Sequence, residues 1–120
     1  MLRAVRGATT VDVDAPDLIA AATREMLQEL QRRNDIDADD LVSALFTVTP
    51  DLRTTFPALA ARQLGWLDVP LLCATEIDVP DSLPRCIRVL VHFHTTRSRS
   101  MIQHVYLGGA RVLRPDLAYD

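Results

Sequence analysis

Between Asp14 and Asn34 the apolar residues return every three or four positions, at Leu18, Ile19, Ala22, Met26, Leu27 and Leu30. That spacing gathers them on one side of an α-helix. Asp14 can cap the helix, Pro16 and Asp17 suit its first turn, and Asn34 is a natural stop. Glu29 and Arg33 stand at the favourable i, i+4 spacing. Elsewhere short apolar runs bounded by Pro, Gly and polar residues predict strands, over "LRAVRGATTV" (2–11), residues 41–48, "PLLCAT" (70–75) and "CIRVLVHF" (86–93). A short helix is expected in "TTFPALAARQLGW" (54–66), with Pro57 near its start and Gly65 at its end. The Gly108-Gly109 pair between "HVYL" and "ARVL" signals a hairpin-type turn, and a tail begins at Arg114-Pro115. About five strands, one long helix and one short helix make an α+β pattern with a mixed sheet, in a single domain over residues 1–120.

The 86–93 run poses a question. Alternation puts Ile87, Val89, Val91 and Phe93 on one face and Cys86, Arg88, Leu90 and His92 on the other, so both faces read as largely buried. One long helix covers only one sheet face. The second face needs another cover, and in so small a chain a further copy of the same chain is the economical one, which predicts a homo-oligomer. The same face carries Arg88, whose charge must meet an anion or several acceptors, because an unpaired buried ion costs several kcal/mol or more.

Composition narrows the chemistry. The net charge of −3 recommends neither nucleic acid nor an anionic membrane as partner. The start "MLRAVRGATT" lacks the apolar core of a signal peptide, and no apolar run reaches the length of a membrane span, so a cytoplasmic protein is expected. All thirteen basic side chains are arginine, which excludes a lysine Schiff base and a P-loop lysine and leaves planar forks suited to carboxylates. Cys73 and Cys86 lie in apolar segments and read as buried thiols rather than a disulfide. His92, His94 and His104 invite a metal reading. It is disfavoured because Arg88 shares the strand face with two of them and no carboxylate or cysteine completes the set. No GxSxG elbow and no glycine-rich phosphate loop occurs.

What remains is a set of ions and polar groups in apolar settings: Arg6, Glu76, Arg88 and Tyr106, with Cys73 nearby. A partly buried Arg88–Glu76 pair and a pocket for a small anionic ligand bearing a hydroxyl both satisfy this pattern. Cys73 and Glu76 are three apart, so a regular strand points them to opposite faces unless it ends or bulges at 74–76.

The segments "RGATTV" (6–11), "TPDLRTTFPALAAR" (49–62), "CATEIDV" (73–79), "CIRVLVHF" (86–93) and "HVYLGGARVLRPDL" (104–117) together resemble the small homotrimeric class of chorismate mutases, in order and over almost the whole chain. The resemblance implies a ferredoxin-like, chorismate-mutase-type subunit and a trimer with a barrel-like core and clefts between subunits. It also implies a cofactor-free Claisen rearrangement of chorismate to prephenate, in aromatic amino acid biosynthesis. By that resemblance Arg88 donates to the ether oxygen of the breaking bond. Arg6 and Tyr106 hold the side-chain carboxylate, and Glu76, helped by Cys73, accepts the ring hydroxyl. Phe56 and Arg62 come from the adjacent subunit, and Leu113 with the tail from Arg114 closes the cleft. Leu59 stands where this family is expected to carry a lysine, leaving the ring carboxylate to Arg62, Arg53 or solvent. The chain ends soon after "RPDL", so a short lid is expected. Two other functions would use a similar trimer, an enamine or imine deaminase and a non-catalytic metabolite-binding protein.

Overall fold

The computed structural model describes residues 1–114; the tail from Pro115 onward lies outside the described residues. Strand β1 (Leu2–Thr10) leads to helix α1 (Pro16–Asn34), strand β2 (Leu41–Val48), helix α2 (Ala58–Gln63), strand β3 (Leu71–Thr75), strand β4 (Cys86–His94) and strand β5 (Val105–Tyr106). These form one sheet in the order β3-β2-β4-β1-β5. Strand β4 runs antiparallel to both neighbours, whereas β2/β3 and β1/β5 are parallel, so the sheet is mixed as expected.

One face of the sheet packs on α1. The helix buries Ile19, Met26, Leu27 and Leu30 against Val5, Phe46, Ile87, Val91 and Phe93, and each such side chain contributes roughly 1.5–3 kcal/mol through burial. Gly7 lets the helix come this close, since a Cβ there would meet Met26 Cγ and Val89 Cγ1 at 3.1 Å. Leu18, assigned to the apolar stripe, is exposed, and Thr23 takes a buried place instead by donating its hydroxyl to the Ile19 carbonyl at 2.7 Å. The Glu29–Arg33 pair forms at 2.9 Å, with Arg32 joining it at 2.7 Å. Asn34 ends the helix and, buried, exchanges hydrogen bonds with the backbone of Gln103, tying the chain before β5 to the helix terminus. Among the described residues no helix is long and apolar enough to cross a membrane.

Two local expectations are corrected. Asp14 does not cap α1: Ala15 is the cap residue and makes no side-chain cap bond. The Asp14 carboxylate instead accepts from the Arg53 and Thr54 amides and the Thr54 hydroxyl, tethering the loop before α2. Nor do Gly108 and Gly109 turn a hairpin. The short strand β5 pairs with β1, and the chain then coils into a tight 3-10 turn over Gly108–Val112. The Gly109 amide donates to Thr10 Oγ1 at 2.9 Å, and Gly108 adopts a positive φ of 56° with no room for a Cβ beside that oxygen. Docking on the end of β1 therefore wins over a returning strand.

Candidate active site

The sheet face away from α1 carries the ions. Strand registers align Tyr106, Ala8, Arg88, Thr47 and Ala74 in one row across all five strands. Arg6 lies on the same face, two residues from Ala8 along β1. Its guanidinium stands 5.9 Å from the centroid of the Tyr106 ring, within reach of a cation–π contact. Tyr106 is buried with Ala8 and Ala110, and Leu83 and Leu113 pack on that small cluster. Leu113 thus sits at the edge of the row. Arg114 follows it, exposed, and the rest of the tail lies outside the described residues.

Arg88 Nε lies 2.7 Å from Glu76 Oε1, so the ion pair anticipated from the sequence forms within one subunit. Nε is buried yet off the line that a hydrogen bond requires, making the contact ionic in character. Glu76 is held from two other sides. Its amide donates to the Val48 carbonyl at 2.9 Å, and its carboxylate accepts from Thr47 Oγ1 at 3.1 Å. A guanidinium has five N–H donors, so one carboxylate leaves capacity for a second anion.

Cys73 goes elsewhere. Strand β3 stays regular through Thr75, so Cys73, paired in register with Phe46, points to the helix-covered face while Glu76 reaches the open one. Within the subunit Cys73 instead lines a groove with Phe56, Leu59 and Arg62 at the edge of the sheet. The site residues thus fall into two groups on opposite faces. Arg6, Glu76, Arg88 and Tyr106 form one; Phe56, Arg62 and Cys73 form the other.

Two residues next to the first group have roles that their place in the sequence does not reveal. Thr47 braces Glu76, but its place opposite Arg88 is visible only once β2 is known to pair with β4. His104 Nδ1 accepts the Arg6 amide at 3.0 Å, which requires neutral imidazole with its proton on Nε2. Burial pushes this histidine below its ordinary value of 6.5, and the Arg6 and Arg114 charges add to the effect. Burial likewise raises the Cys86 thiol, with Arg88 offsetting part of the rise and Glu76 adding to it, so Cys86 is a packed thiol and no ready nucleophile. Among the described residues no group of His, Cys, Asp and Glu is disposed to hold a metal.

Fold and site define a small α+β protein whose open sheet face presents fixed cations, a phenol and one braced carboxylate. The chain belongs to the chorismate mutase type I family, whose model matches residues 2–117, and is by that membership an isomerase. It is 50% identical over 118 residues to the chorismate mutase AroH of Thermus thermophilus, covering 98% of this chain and 97% of that one. To the chorismate mutase AroH of Bacillus subtilis it is 43% identical over 119 residues, covering 98% and 94%. The solved structure of a chorismate mutase from Clostridium thermocellum superposes with a TM-score of 0.91 at 49% identity, covering 92% of this chain and 98% of that one.

Proposed function

We propose that the chain converts chorismate to prephenate by intramolecular Claisen rearrangement, in clefts between the subunits of a homotrimer, as a step of aromatic amino acid biosynthesis. The observation that carries this reading is Arg88, a guanidinium in mid-sheet that Glu76 neutralises without saturating. In the rearrangement negative charge grows on the ether oxygen as the C–O bond breaks. A donor already fixed beside that oxygen stabilises the transition state more than the bound substrate. Arg6 and Tyr106 hold the side-chain carboxylate, keeping the reacting carbons together and removing much of the entropic barrier. Glu76 accepts the ring hydroxyl. No proton is transferred, so the site needs no general base.

The open face supports an assembly of several copies of the chain. Leu45 and Leu72 are exposed there although they stand in sheet strands, and Leu90 is only half-buried. A neighbouring copy laying its edge groove against this face would cover those leucines. It would also bring its own Phe56, Arg62 and Cys73 to the first subunit's Arg88, uniting the two groups that one subunit keeps apart. Leu113 and Arg114 stand at the end of the row, where they would border that cleft. Loss of chorismate ultraviolet absorbance on adding purified protein, with prephenate as product, tests the reading; a folded protein that binds chorismate without converting it overturns it in favour of a metabolite-binding role.

A further inference from the structure

The junction between the 76–85 loop and β4 is strained and tightly tied. Arg85 has a left-handed backbone, φ 48°, a conformation that costs a non-glycine residue about 1–2 kcal/mol and survives only where its surroundings impose it. Here they do. The Arg85 amide donates to Asp51 Oδ2 at 2.9 Å, and its Nε donates to the Val11 carbonyl at 3.1 Å. Its own carbonyl accepts the Val11 amide at 3.1 Å. One residue on, the Cys86 amide donates to Thr49 Oγ1 at 2.9 Å, and the Cys86 carbonyl accepts the Thr49 amide at 3.0 Å. The Thr49 side chain is buried, and its hydroxyl proton goes to Asp51 Oδ1. One hydroxyl and one carboxylate from the turn after β2 thus grip two successive residues at the head of the strand that carries Arg88.

We propose that Thr49, Asp51 and Arg85 act as a positioning clamp for the Arg88–Glu76 pair. The pair spans this loop, with Glu76 at its start and Arg88 three residues past Arg85. Any slack at the junction therefore changes their separation directly, and Arg88 must stay in place while a bound anion competes with Glu76 for it. The clamp rests on the mutase reading, with these three residues acting through Arg88 rather than on substrate.

Steady-state kinetics with thermal melts on the full-length protein test it. Thr49→Val should lower kcat by about 10- to 100-fold, the range expected for a misplaced catalytic group, with KM little changed. Thr49→Ser, which keeps the hydroxyl, should retain wild-type kcat. Arg85→Gly accepts the left-handed backbone without strain and keeps the backbone bond from the Val11 amide but loses the side-chain bond to the Val11 carbonyl, so kcat should fall while the melting temperature does not. Should Thr49→Val fail to fold, Arg85→Gly decides alone. Wild-type kcat in a folded Thr49→Val or in Arg85→Gly overturns the clamp, as does Thr49→Ser running as slowly as Thr49→Val. If the wild type itself does not convert chorismate, the mutase reading fails separately. The clamp is then read from the Nε–H resonance of Arg88 by NMR, which Thr49→Val or Arg85→Gly should shift or broaden; an unmoved resonance overturns it.

Discussion

Replacing Arg88 by lysine separates charge from geometry. In Arg88→Ala the donor to the developing oxyanion is gone, and the precedent for deleting such a donor is a loss of about 2.7–4 kcal/mol, or roughly 10²–10³ in kcat. Lysine restores a positive charge but concentrates it on one compact ammonium, without the planar fork that can face Glu76 with one edge and the substrate with another. With Glu76 only 2.7 Å from the native Nε, the ammonium should settle against that carboxylate and leave the ether oxygen unserved. We therefore expect Arg88→Lys to recover less than about tenfold of the Arg88→Ala loss, under 1.4 kcal/mol. Stability should change less than activity. The Arg88 and Glu76 side chains remain 29% and 18% exposed, so the several kcal/mol lost on breaking a fully buried pair shrinks to about 1–2 kcal/mol for the alanine variant. The assay is chorismate absorbance at saturating substrate beside a urea melt of each variant. Near wild-type turnover by Arg88→Lys would refute the assignment, because charge alone would then suffice.

Mixed oligomers of inactive Arg88→Ala and inactive Arg62→Ala subunits should regain activity if the two side chains meet across an interface, and mixed oligomers that form yet stay inactive would count against a shared cleft. Acid should destabilise the protein through His104. Its folded-state pKa is depressed, so from about pH 6.5 downward the unfolded chain takes up a proton that the folded one refuses, and stability falls until the lowered value is passed. His104→Asn should flatten that part of the stability profile, and an unchanged slope would contradict this. Gly7→Ala puts a methyl 3.1 Å from Met26 and Val89 and should cost about 1–2 kcal/mol in a urea melt, the lower part of the over-packing range because methionine can shift. Leu59→Lys should lower KM without changing kcat by adding a cation at the cleft mouth, a gain of about 0.2–1 kcal/mol as for other exposed ion pairs; a changed kcat would place residue 59 nearer the chemistry than the groove suggests.

Much of this molecule was legible in the chain because its signals are local. The span of β2, the start of β4 and the two helices follow from periodicity and from Pro57, Gly65 and Asn34. Even the Arg88–Glu76 pair could be anticipated, since an ion in so apolar a strand demands a partner. The failures share one cause. Asp14 has the chemistry of a cap but found a better set of donors in a loop almost forty residues away. The Gly-Gly signal was real as a turn, yet the partner of β5 is β1 from the other end of the chain, and parallel pairing leaves nothing for a hairpin to join.

Spacing along the chain alone shows which residues carry charge in apolar surroundings, which face of each element is apolar, and that one sheet face lacks a cover within the chain. These are properties of spacing, and spacing is set by the 3.6- and 2-residue periods of the backbone. Which of those residues meet is a matter of how the strands assemble. Strand order and register set Thr47 beside Arg88, put His104 under the Arg6 amide, and part Cys73 from Glu76 to opposite faces. Register is a long-range choice, made by how the apolar faces pack against α1, and a shift of one residue would have sent Arg88 into the core and Val89 to the open face.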